Sequence, residues 1–172
     1  MPAHNRNRYA DFVQYTPYES EAWQGEINVC FSQSTAGWIL LWIASTAYLQ
    51  HITLYTSEVM PPYPDLLRWL EAITEKRLPA DCAIFEEGPV KTLRARSAED
   101  GLLDFQILDN YWEIEDAEII FRCRVSPRQL VAEFVAKLEL LLEKYYIPEE
   151  WPHGGDLRGL DLSKLKSYLG DS

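Results

Sequence analysis

Residues 118–146 read EIIFRCRVSPRQLVAEFVAKLELLLEKYY, and the switch inside this stretch decides the fold class. Glu118 to Val125 reads as a β-strand. At Ser126 the pattern changes. A hydroxyl at N-cap, Pro127 at the first helical position and Gln129 at the third form a capping box. Leu130, Val131, Phe134, Val135, Leu138, Leu141, Leu142 and Tyr145 then recur at helical spacing until Pro148 stops the run. A helix of about 20 residues is about 30 Å long. Glu133, Lys137, Glu139, Glu143 and Lys144 interrupt its apolar stripe, so it predicts a surface helix packed on a sheet.

Working outward, four strands precede this helix: Cys82–Glu86, Val90–Arg96, Leu102–Leu108 and Glu118–Val125. Glu87-Gly88-Pro89 and Asp100-Gly101 are turn signals, and such short connections favour antiparallel neighbours. Asp109 to Asp116 is a loop or the frayed end of the last hairpin. Before the first of these strands, Pro64 to Arg77 carries Leu66, Leu67, Trp69, Leu70 and Ile73 on one helical stripe. Asp65 lies in its first turn, Lys76 and Arg77 in its last, and Pro79 ends it. Earlier still, Ile27, Val29 and Phe31 alternate with polar residues as a half-buried strand. Trp38 to Ala44 is a continuous apolar run, read as a central strand covered on both faces, with a short buried helix as the alternative. Tyr48 to Tyr55 is a third strand. After the long helix, Asp161 to Leu169 predicts a short last helix with Gly170 as its C′ residue. Residues 1–26 read as an N-terminal arm. The expectation is a single α+β domain over 27–172, with a mainly antiparallel sheet of about six to seven strands. One long and two shorter helices pack on it.

The chain has 172 residues, 16 Lys and Arg against 27 Asp and Glu, and a formal net charge of −11. That balance argues against direct nucleic-acid binding, which needs clustered cations, and against an anionic membrane surface. The longest apolar run is too short for a membrane span. The N-terminal residues have no apolar signal-peptide core. Cys30, Cys82 and Cys123 are odd in number, far apart and set in apolar stretches, so buried free thiols in a reducing bacterial cytoplasm are expected.

The common chemical motifs are absent: no Gly-rich phosphate loop, no Gly-x-Ser-x-Gly, no His-Glu-x-x-His, no Cys-x-x-Cys. Glu86 and Glu87 are adjacent, which on a strand sends them to opposite faces; they read as two acids at the mouth of a hairpin. Pro61-Pro62-Tyr63-Pro64 reads as a rigid strand-to-helix connection. His153-Gly-Gly-Asp156, with His51, is the most catalytic-looking combination, and it carries the alternative reading of a small enzyme. No catalytic residue, metal ligand or cofactor is nominated.

Charge segregation is the most unusual feature. From Ser97 to Phe121 there are eight acids and no Lys or Arg, beside Tyr111 and Trp112. Asp109, Tyr111, Trp112, Glu113, Glu115, Asp116 and Glu118 are therefore the candidate partner-binding residues, with the carboxylates steering a basic protein and an aromatic anchoring it. This leads to the expectation of a small acidic interaction protein, more a binder than an enzyme. It would neutralise a basic, nuclease-type partner in the manner of bacterial immunity proteins. A non-catalytic subunit of a larger assembly is a further alternative.

Overall fold

The structure, a computed structural model, describes residues 24–34, 36–47, 50–110 and 117–170. Among the described residues, seven strands and three α-helices follow the expected order. Strands β1 (Ile27–Gln33), β2 (Trp38–Ser45) and β3 (His51–Ser57) form one antiparallel sheet in that order. Strands β4 (Ala80–Phe85), β5 (Val90–Ser97), β6 (Leu103–Asn110) and β7 (Glu118–Val125) form a second. Helix α1 (Tyr63–Thr74) links the sheets. Helix α2 (Pro127–Leu140) continues into a single π-helical turn (Leu141–Tyr145), and α3 (Ser163–Gly170) ends the described chain. The fold is α+β, and its seven strands are divided between two sheets where one was expected.

The division has a physical cause. Just before β1, Gln24 bridges Arg124 of β7 in parallel, and the Gly25 amide donates to the Arg124 carbonyl at 3.0 Å. Beyond that point α2 lies along the free edge of β1 and satisfies its backbone with side chains. Gln129 Nε2 donates to the Ile27 carbonyl at 2.7 Å, and Gln129 Oε1 accepts from the Ile27 amide at 3.0 Å. Glu133 Oε1 accepts from the Val29 amide at 2.9 Å. A carboxamide offers one donor and one acceptor, as a peptide group does, so Gln129 stands in for a neighbouring strand. The backbone groups of Ile27 and Val29 so engaged are not left for β7. Gln129 is thus not the back-reaching half of a capping box. Ser126 Oγ accepts from the Gln129 amide at 3.5 Å, while the Gln129 side chain leaves for β1.

Both sheets turn their inner faces to the helices. A chain of aromatic rings crosses the core: Phe121 on Phe105, Phe105 on Trp69, Trp69 on Phe134, Phe134 on Phe31, Phe31 on Tyr63 and Tyr63 on Trp151. Phe134 sits in the middle, edge-on to Trp69 at 5.6 Å and to Phe31 at 6.3 Å between centroids. Much of the aromatic content is therefore core. Trp69 also ties α1 to β4, its indole N–H donating to the Ala80 carbonyl at 3.0 Å. Tyr63, in the proline-rich connection, is fully buried and shares a 2.8 Å hydrogen bond with Thr56 Oγ1. Burial pushes its phenol well above the ordinary range.

Several local expectations need correction. Trp38–Ala44 is a central strand but is covered on one face only: Ile39, Leu41 and Ile43 are buried, and Trp42 is exposed. The strand buried on both faces is β6, where Leu103 through Leu108 are all buried. Its polar members tolerate this because Asp104 accepts two bonds from Arg122, both 2.8 Å, and one from Gln106 at 2.7 Å. β6 also runs on through Asn110, beyond the expected Leu108. β3 starts at His51; Tyr48 and Leu49 lie outside the described residues. Helix α1 stops at Thr74, before Lys76 and Arg77. The Lys76 amide donates to Ile73 and the Arg77 amide to Ala72, a Schellman closure with Lys76 at a φ of 56°. Gly170 is the last helical residue and not the residue after the helix. Cys82 and Cys123 are buried free thiols, but Cys30 is exposed, because it alternates outward between Val29 and Phe31. Burial pushes the Cys82 thiol up to about 12. Of the expected arm 1–26, residues 1–23 lie outside the described residues. Among the described residues, no helix is long and apolar enough to cross a membrane.

Candidate functional site

The antiparallel meander fixes where the acids of 97–121 go. Glu99 and Asp100 sit in the β5–β6 turn. Asp109 and Glu118 stand opposite each other at the other end of β6 and β7. Eight residues of strand, about 25 Å, separate the two ends. Asp104 lies between them, paired with Arg122. Glu99 and Asp100 therefore do not share a patch with Asp109 and Glu118. The cations that answer two of the acids come from neighbouring strands: Arg122 of β7 for Asp104, and Lys91 of β5 for Asp109, with Lys91 Nζ 2.7 Å from Asp109 Oδ1.

The end that holds Asp109 and Glu118 also holds the β4–β5 turn, since Lys91 pairs with Asp109 in the register and Val90 with both Phe85 and Asn110. Glu86 and Glu87 are in that turn, the hairpin mouth the sequence indicates. They do not point to opposite faces. Glu87 leaves strand geometry with a φ of 54°, and both carboxylates reach β3. Glu86 Oε1 accepts from the Tyr55 amide at 2.8 Å, and Glu87 accepts from Ser57 Oγ. Together they pin the edge of β3 to the second sheet. Glu86 is largely buried, and Lys91 Nζ lies 3.9 Å from it. Desolvation holds the Glu86 carboxyl above its ordinary range, against the Tyr55 amide and Lys91, and Asp109 pushes the same way as burial.

Four carboxylates, Glu86, Glu87, Asp109 and Glu118, thus lie at one end of the four-stranded sheet, where Lys91 reaches Glu86 and Asp109 among the described residues. The connection between β6 and β7, which carries Glu113, Glu115 and Asp116 in the sequence, leaves from this end and returns to it. Tyr111, Trp112, Glu113, Glu115 and Asp116 lie outside the described residues. Glu86 and Glu87 were not among the residues nominated from sequence; their position in a turn gave no sign that it shares an end with Asp109 and Glu118.

Of the alternative catalytic combination, His51 stands apart from the His153–Asp156 loop. The His153 amide donates to Glu58 Oε2 at 2.9 Å, just past the end of β3, whereas His51 begins that strand, about 20 Å back along it. The Asp156 carboxylate is taken by Arg158, with contacts of 2.6 to 3.0 Å, and it caps the turn Leu157–Gly159. The Arg158 side chain and amide keep it below its ordinary range, in the charged form. In this loop Gly154 serves packing, whereas Gly155 takes a φ of 75° with open space where a Cβ would stand. A Cβ on Gly154 would lie 1.9 Å from Nε1 of the buried Trp151. Among the described residues no group of three or more His, Cys, Asp or Glu is placed to hold a metal ion.

Compared with protein-family models, curated proteins and solved structures, the chain matches none.

Proposed function

We propose that the protein is a binding protein for a basic protein partner, in the manner of cytoplasmic bacterial immunity proteins that neutralise a nuclease. Its docking end is the end of the second sheet where β4–β5 and β6–β7 turn. The supporting observation is the gathering there of Glu86, Glu87, Asp109 and Glu118, of which Lys91 reaches Glu86 and Asp109 among the described residues. Within the strands of the same sheet, Asp81 pairs with Arg94 and Asp104 with Arg122. Unmatched charge at one end steers a cationic partner and accelerates encounter more than it adds affinity. The free thiols suit a reducing compartment. The residues nominated from sequence keep their role in this reading, with Glu113, Glu115 and Asp116 extending the negative field and Trp112 or Tyr111 as anchor.

The test uses two matched baits, the wild-type chain and the Glu113→Gln, Glu115→Gln, Asp116→Asn, Glu118→Gln variant. A basic protein retained by the first and associating more slowly with the second supports the reading. The difference should shrink as salt shortens the Debye length from about 10 Å at 0.1 M to about 3 Å at 1 M. A captured partner that binds the variant at the wild-type rate at low salt overturns it.

A further inference from the structure

Exposed apolar side chains gather around the turn that holds Glu86 and Glu87. Of the eight large apolar side chains left exposed among the described residues, four are here, so apolar surface and carboxylates share one end. They are Tyr55 on β3, Val59 and Met60 just past its end, and Phe85 at the end of β4. Hydrogen bonds place them. Glu86 Oε1 accepts from the Tyr55 amide at 2.8 Å, and Phe85 directly precedes Glu86. The Val59 amide donates to Ser57 Oγ at 3.1 Å, the same hydroxyl that donates to Glu87. Tyr55 and Ser57 are two apart on β3, so they point to the same side, about 7 Å from each other along the strand. The Glu87 carboxylate, seated on Ser57, therefore lies beside Tyr55. The Tyr55 ring is 49% exposed and stands outside the chain of aromatic contacts that crosses the core.

We infer that this end takes an arginine as the anchor of its basic partner, the guanidinium lying against the Tyr55 ring while its N–H groups take the Glu87 carboxylate. The inference rests on the basic-partner reading and names the side chain that the docking end selects. Two observations favour arginine over lysine. The first is the apolar setting of the carboxylate. A guanidinium is planar and weakly hydrated, and it stacks on an aromatic face while its edge donates. An ammonium is a compact, strongly hydrated charge that gains less on such a surface. The second is which carboxylate is ready to receive a fork of donors. Glu86 is largely buried and engaged by the Tyr55 amide and Lys91, and Asp109 is held by Lys91 at 2.7 Å. Glu118 is on β7, three strand spacings from β4, about 14 Å away. Glu87 is exposed, and Ser57 holds its Oε1, which orients the carboxylate and leaves Oε2 without a protein partner among the described residues.

Oligo-arginine and oligo-lysine peptides of equal length carry the same charge, so comparing them holds long-range steering fixed. Titrated into the full chain at about 0.05 M salt, oligo-arginine should bind about tenfold more tightly, and both should weaken as salt rises. Tyr55→Leu keeps an apolar side chain and the backbone amide but removes the aromatic face. It should bring the two affinities to within about twofold and leave that of oligo-lysine unchanged. Glu87→Gln should cost the arginine peptide more than the lysine peptide. Should either variant fail to fold, nuclear Overhauser contacts between arginine methylenes and the Tyr55 ring decide on the wild-type chain. Their absence with oligo-arginine bound overturns the inference. Equal affinities for the two peptides, both sensitive to salt, overturn the arginine anchor and leave the basic-partner reading standing. A full arginine preference that survives Tyr55→Leu and Glu87→Gln overturns it too. Binding of neither peptide removes the basic-partner reading and this inference with it.

Discussion

Replacing Gln129 tests how the two sheets are kept apart. Its carboxamide makes two hydrogen bonds to Ile27, at 2.7 and 3.0 Å, in a half-buried position on the edge of β1. Gln129→Ala removes both and leaves the Ile27 amide and carbonyl without protein partners. At about 0.5–1.5 kcal/mol net per neutral bond the loss is about 1–3 kcal/mol. Alanine returns only a few tenths of a kcal/mol through helix propensity. With a urea slope of about 2 kcal/mol per M, the midpoint should fall by about 0.5–1.5 M. Gln129→Glu adds a signature that a general packing defect would not give. A carboxylate still accepts from the Ile27 amide but sets a second oxygen against the Ile27 carbonyl. Protonation restores the missing donor. The folded-state pKa of this Glu is thus raised above its unfolded value, and the penalty at neutral pH should shrink as pH falls through that raised value. Urea melts followed by circular dichroism at pH 7 and at about pH 4.5 measure both effects. A Gln129→Ala midpoint within error of wild type, with the Ile27 amide equally protected from hydrogen exchange, would refute the claim that a side chain replaces a strand here.

Phe134→Ala, at the centre of the aromatic chain and fully buried, should cost about 3–5 kcal/mol in the same melts. Lys76→Gly should stabilise by about 0.5–1 kcal/mol, because it relieves a left-handed residue at the end of α1 whose hydrogen bonds are made by the backbone. For Glu86 the folded pKa is raised, so between its ordinary and raised values the native state holds the extra proton and stability falls as pH rises. Glu86→Gln keeps an acceptor for the Tyr55 amide, and in a pH series it should flatten that fall without lowering stability at neutral pH.

The order and type of elements were legible because they rest on local signals. Ser126 and Pro127 mark the start of α2, and the alternation of Ile27, Val29 and Phe31 marks β1. The failures share a different origin. Gln129 has the right identity and position for a capping box, and nothing within the helix reveals that a strand edge 102 residues earlier competes for its side chain. Trp42 and Leu40 extend an apolar run, and an apolar residue on an open face looks the same in sequence as one in a core. Asp104 and Gln106 look solvent-facing, yet they are buried, because Arg122 satisfies Asp104 from the next strand. The acidic run looks like one patch in sequence because its countercharges, Lys91 and Arg122, lie outside it and reach it only through strand register. For the same reason Glu86 and Glu87 join Asp109 and Glu118 without any linear cue.

The most direct test of the docking end is to map a defined cationic probe, a short oligo-arginine peptide, onto the protein by amide chemical shifts at low salt. The account expects the largest shifts at Glu87, Lys91, Asp109, Asn110 and Glu118, fading together as salt is added. Shifts of equal size at the Glu99–Gly101 turn and around Glu139 and Glu143, or none at Asp109 and Glu118, would contradict it.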